Sequence, residues 1–92
     1  MHREEALSLL EASHTFPSDH RFHVIVRTGD RDRFHLALVE RYTVDLTDRV
    51  EHVPSRGGTY VSVRVTLPMG SADEVLGVYD FFRTLDYLVQ VM

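Results

Sequence analysis

Residues 54–66 read PSRGGTYVSVRVT, and the alternation that follows the paired glycines decides the fold. Val61, Val63, Val65 and Leu67 fall on one side of an extended chain, with Tyr60, Ser62, Arg64 and Thr66 on the other. A period of two defines a half-buried strand, because successive side chains of a strand point to opposite faces. Gly57 and Gly58 in front of it mark a tight hairpin turn, where positive φ costs a glycine little. The strand thus has an apolar side for a core and a polar side that meets either water alone or a ligand.

On the N-terminal side of the turn, residues 49–53 offer Val50 and Val53 at mismatched parity. A bulge or a charged edge position is expected there, ended by Pro54. On the C-terminal side, Ser71 with Glu74 three residues later forms a capping box. Val75, Val78, Tyr79, Phe82 and Leu85 follow at helical spacing, and residues 87–92 close the chain as an apolar strand. Upstream, residues 21–28 alternate, with Phe22, Val24 and Val26 against His23, Ile25 and Arg27. Gly29 and Asp30 turn the chain into a predicted helix over 31–42, built on Phe34, Leu38 and Tyr42 with Ala37 and Arg41 beside them. Residues 3–13 carry Ala6, Leu7, Leu9 and Leu10 on a short amphipathic helix, which the stretch HTFPSD stops.

After that opening helix the order is β-α-β-β-α-β. The right-handed crossover rule and the short hairpin then favour an α+β, ferredoxin-like sandwich. Its four-stranded antiparallel sheet has the order 4-1-3-2, two helices lie on one face, and an N-terminal helical extension precedes it. Residues 1–15 form the extension and residues 16–92 a single domain. One face of the sheet is then covered, and the face bearing Tyr60, Ser62, Arg64 and Thr66 is free.

Composition narrows the chemistry. Ninety-two residues support one core, burying roughly 60 to 65% of the unfolded surface. The chain has no cysteine, which removes disulfides, thiolate nucleophiles and thiolate metal sites. All 10 basic residues are arginine, so Schiff-base lysines and a Walker lysine are absent. Such a bias reads as proteome background before it reads as an anion site. The net charge of −4 with six neutral histidines repels polyanions near neutral pH; below about pH 6.5 histidine protonation offsets much of it. No apolar run approaches the ~20 residues that span a bilayer, and Glu4 and Glu5 stand where a secretion signal would be apolar. A soluble cytoplasmic protein with no membrane partner is expected.

Several stretches together resemble one family. They are Phe16-Pro17, the block from Pro54-Ser55 to Tyr60-x-Ser62-Val63-x-Val65-Thr66, Ser71 opening a helix that carries Tyr79, and the terminal Val89-x-Val91-Met92. This pattern is similar to the YbeD-like family of small bacterial proteins of unknown function. Members typically place a basic residue, a glycine and an asparagine before the tyrosine; Gly57, Gly58 and Thr59 stand there in this chain, so a lysine-centred role for the turn does not transfer. The family resembles in fold the ACT-type regulatory modules that bind amino acids beside metabolic enzymes. The resemblance thereby implies an ACT-like domain with a regulatory part.

Each candidate site has a plainer reading beside it. Arg56, Gly57, Tyr60 and Val61 fit part of an RNA-recognition strand, but Gly58 and Val63 replace its other aromatics, which argues against nucleic acid. Arg56, Gly57 and Gly58 could form an anion-cradling nest, but the ordinary hairpin turn is favoured, since a glycine pair there needs no ligand. Thr28, Gly29, Asp30 and Arg31 stand where ACT-type modules hold effectors, with Asp30 aimed at a ligand amine, or else form a strand-to-helix turn capped by Asp30. No histidine pair has ligand spacing, and no nucleophile elbow, carboxylate pair or phosphate loop appears. A domain of this size seldom encloses a pocket of ~300 Å³. Neither catalysis, nor a metal, nor a cofactor is expected. What remains is interaction: a protein partner or a homodimer through the free face, an uncharged edge strand at residues 87–92 or the leucines of the first helix, with a small-molecule effector at residues 28–31 as the alternative.

Overall fold

A computed structural model describes residues 2–92. The elements are α1 (Arg3–Ser13), β1 (Ser18–Arg27), a 3-10 turn (Thr28–Asp30), α2 (Arg31–Tyr42), β2 (Val50–Pro54), β3 (Tyr60–Met69), α3 (Ala72–Arg83) and β4 (Leu88–Val91). The strands form one antiparallel sheet in the order β2-β3-β1-β4. The protein is α+β, consistent with a ferredoxin-like fold preceded by an N-terminal helix. Contacts divide the chain into two compact units, one joining the start of the chain through His20 to Pro68–Leu85, the other joining Arg21–Leu67 to Asp86–Met92.

The second unit holds most of the sheet. Phe22, Val24 and Val26 of β1 are fully buried, and so are Val61, Val63, Val65 and Leu67 of β3. α2 adds Phe34 and Leu38 to this core, four residues apart and hence on one side of the helix. Burying side chains of this size contributes about 1.5–3 kcal/mol each before entropy is subtracted. Leu46, in the loop after α2, is also buried, although no periodicity marks it in the sequence. That loop starts where Thr43, with φ of 49°, ends α2 in the left-handed region.

The first unit is built on α3, which buries Ala72, Val75, Val78 and Phe82. α1 lies along α3 and has no fully buried residue. Its half-buried positions are Ala6, Leu7 and Leu10. Arg3 fastens the start of α1 to α3, donating to Asp73 at 2.9 Å and to Asp80 at 3.0 Å. The opening helix therefore packs along α3.

Four local details correct or refine that reading. β1 begins at Ser18, not at residue 21, because the Ser-Asp-His stretch is extended without any apolar alternation to announce it. The register from Val50↔Val65 to Pro54↔Val61 is unbroken, so of the two expected alternatives β2 takes the charged edge position, with Glu51 on an edge strand, and has no bulge; His52 takes the core-facing register opposite Val63, and Val53 faces the open side opposite Ser62. The irregularity lies at the other edge, where Ile25 pairs with Gln90 but Val26 pairs with Leu88. Asp30 occupies the N-cap position of α2 yet makes no side-chain cap bond, whereas Ser71 accepts the Glu74 N–H at 3.2 Å and Glu74 accepts the Gly70 N–H in return.

That contrast is measurable by urea unfolding. Ser71→Ala is expected to cost about 1 kcal/mol, the usual value of a lost N-cap, and Asp30→Ala no more than about 0.5 kcal/mol, since Asp30 is half-buried, makes no cap bond and loses only a loose 3.9 Å ion pair to Arg33. Equal losses at both positions would contradict the assigned caps.

Candidate functional site

The open face of the sheet is set by register. Arg21, His23, Ile25 and Arg27 alternate with the buried residues of β1, and Tyr60, Ser62, Arg64 and Thr66 with those of β3. β2 adds Glu51 opposite Arg64 and Val53 opposite Ser62. On β4, Val89 and Gln90 together oppose Ile25, so the bulge returns Leu88 to the core register beside Val26 and leaves Val89 on the open side.

Two patches follow one another along these strands. Ile25, Val53, Pro54, Tyr60 and Val89, with Ser55 and Ser62, line an apolar cleft of about 360 Å³. Three of its apolar residues are substantially exposed: Val53 at 39%, Tyr60 at 41% and Val89 at 49%. Two residues further along β2 and β3 the surface becomes charged. Glu51 accepts from Arg21 at 3.1 Å and from Arg64 at 3.4 Å, an ion-pair chain across three strands. Exposed pairs of this kind are worth about 0–1 kcal/mol and exchange partners readily. Within the second unit, the charged groups of the open face in β1, β2 and β3 are Arg21, Arg27 and Arg64 against Glu51, an excess of positive charge on a chain whose net charge is −4; Asp19, earlier on β1, shares their parity and is also exposed.

The two turn candidates meet at one place. Thr28 donates its backbone N–H to the Thr59 carbonyl at 3.0 Å and its hydroxyl to the Gly58 carbonyl. The Gly58 N–H is committed to the Ser55 carbonyl at 2.9 Å, closing the turn, and the Tyr60 N–H to the Ser55 hydroxyl at 3.1 Å. An anion nest needs free N–H groups, and these donors point into the turn. Gly58, with φ of +77°, needs to be glycine; Gly57 and Gly29 stand in open space at ordinary φ. Arg31 lies 3.5 Å from Asp32, and Asp30 lies 3.9 Å from Arg33. Arg33 in turn stacks over the Tyr87 ring at 4.1 Å, a contact that no local pattern announced. Arg56 is exposed at the tip of the turn.

The histidines pair in ways that spacing hid. His14 and His20 stack edge to face at 5.1 Å, and His52 feels the charge of His35. Among the described residues, no three metal-ligating side chains converge and no helix is long and apolar enough to cross a membrane.

Residues 11–92 match the family described as a protein of unknown function, DUF493. The chain belongs to that family. The matched segment takes in all of β1 to β4, and so the entire open face together with the last residues of α1. No curated protein and no solved structure matches the chain.

His20 and His52 both titrate below the ordinary histidine value. Burial is the larger cause in each; His14 adds to it at His20, Arg31 and His35 add to it at His52, and Asp32 acts the other way. A histidine with a lowered folded pKa takes up its proton more readily when unfolded, so native stability falls as pH drops through the ordinary value of about 6.5. Thermal melts taken between about pH 7.5 and about pH 5.5 are expected to show Tm falling with acid, with a shallower slope in the His20→Gln/His52→Gln variant. A Tm that climbs toward the acid end would reverse the assigned signs.

Proposed function

We propose that this DUF493 chain is a non-catalytic regulatory or adaptor module that acts by protein–protein contact on the open face of its sheet, with a second copy as its first partner. This extends the YbeD-like resemblance, which carries the regulatory reading only by analogy of fold. The observation that carries the proposal is the apolar cleft at Ile25, Val53, Tyr60 and Val89, flanked by arginines on an acidic chain. Exposed apolar groups rimmed by charge are what a recognition surface presents, since burial supplies affinity and the rim supplies orientation.

The ionisable groups of this face suit gripping better than proton transfer. Arginine stays charged at any working pH, and Glu51 is exposed between two guanidinium groups. An effector site at residues 28–31 has less to offer a ligand, because both donors of Thr28 already serve the neighbouring turn. β4 strengthens the interaction reading: it is an edge strand, its sequence LVQV carries neither charge nor proline, and Val91 and Met92 beside Val89 are exposed.

Size-exclusion chromatography with light scattering over a concentration series tests this. The wild-type chain is expected to reach at least twice its 10.6 kDa mass, and Val53→Lys, which places a charge in the cleft, is expected to weaken association at least tenfold, about 1.4 kcal/mol. A wild-type chain that stays monomeric throughout would end the self-association reading.

A further inference from the structure

Within the second unit the open-face strand residues carry three arginines, Arg21, Arg27 and Arg64, against Glu51, so packing two such faces against each other sets like charge on like charge. The partner this surface fits is therefore an acidic segment with an apolar anchor. The chain itself contains one. On α1, Arg3 and the half-buried Ala6, Leu7 and Leu10 lie on the side used against α3. The opposite side presents Glu4, Glu5, Ser8 and Leu9, which line a shallow depression, and Leu9 is 54% exposed. Because Arg3 is bound to Asp73 and Asp80, the acidic side is left over for another molecule.

Resting on the interaction reading above, we infer that the acidic side of α1 in one copy docks on the open sheet face of a second copy. Leu9 enters the cleft between Ile25, Val53, Tyr60 and Val89, and Glu5 meets Arg21 or Arg64. The spacings agree. Leu9 and Glu5 are four residues apart on one helix face, about 6 Å along the axis. The apolar cleft and the arginines are two residues apart on β3, from Ser62 to Arg64, a step of about 6.6 Å. A helix of 11 residues laid on the sheet thus places its leucine and its carboxylate over matching chemistry. Glu51, which now bridges Arg21 and Arg64, gives up one guanidinium to the incoming carboxylate, and the total of ion pairs is conserved.

The same light-scattering titration, run on the full chain, decides it. Glu4→Arg/Glu5→Arg is expected to raise the dissociation constant at least tenfold, and so is Arg21→Glu, both at exposed positions where circular dichroism melts confirm an intact fold. Combining Glu4→Arg/Glu5→Arg with Arg21→Glu is expected to restore most of the lost affinity, and Leu9→Ser to weaken association without rescue by any charge swap. If Val53→Lys disrupts the assembly while the α1 variants leave it unchanged, the open face is an interface and α1 is not its occupant. A wild-type monomer at every concentration overturns both.

Discussion

The register of β3 is the constraint on which the rest of the structure depends. Val61, Val63, Val65 and Leu67 are all buried because every second residue of one strand points the same way. A slip of one residue would expose all four and bury Arg64 in their place, a far larger penalty than any surface contact could offset. The turn before β3 holds that register with short backbone bonds. Ser55 binds Tyr60 and Gly58, and Thr28, just past the end of β1, reaches across to the carbonyls of Gly58 and Thr59. The polar groups of this turn are thus spent inward, on placing the strand, while the polar side chains of β3 itself face the open side.

Two breaks in perfect alternation shape the open face. On β2, His52 accepts the core-facing register so that Val53 can stand outside, opposite Ser62. On β4, the bulge beside Ile25 returns Leu88 to the core and leaves Val89 outside. Either strand read with uninterrupted apolar-in alternation would remove one wall of the cleft. An edge strand tolerates such departures because only one neighbour constrains its ladder, and here both edges use that freedom to move a valine onto the exposed face. The cost on β2 is a half-buried imidazole whose Nε2 has no hydrogen-bond partner among the described residues and whose proton is correspondingly disfavoured.

Charge is distributed with the same economy. The chain is acidic overall, yet Glu51 on the open face lies between Arg21 and Arg64, while the acidic residues of α1 are exposed and Arg3 adds two ion pairs to that helix's packing along α3. Exposed ion pairs contribute little to stability. Their arrangement therefore bears on which partner is attracted and in which orientation, more than on whether the chain folds.

The sequence by itself determined the element types, the strand order and most of the core, because periods of 2 and 3.6 are written in neighbouring residues and α1 and α2 take the predicted bounds; Leu46, outside any period, joins the core only in the folded chain. It also marked Tyr60, Ser62 and Arg64 as the free side of β3, and Ser71 as a cap. Only the tertiary structure decided that Arg21, Glu51 and Arg64 form one chain of ion pairs, that Val53 and Val89 join Ile25 and Tyr60 in one cleft, that Thr28 is consumed by the Gly58 turn, and that His14 stacks on His20. Each of those contacts joins residues whose partner is set by strand register or chain reversal. Local pattern carries the direction in which a side chain points; what it meets there is fixed only when distant segments are brought into register.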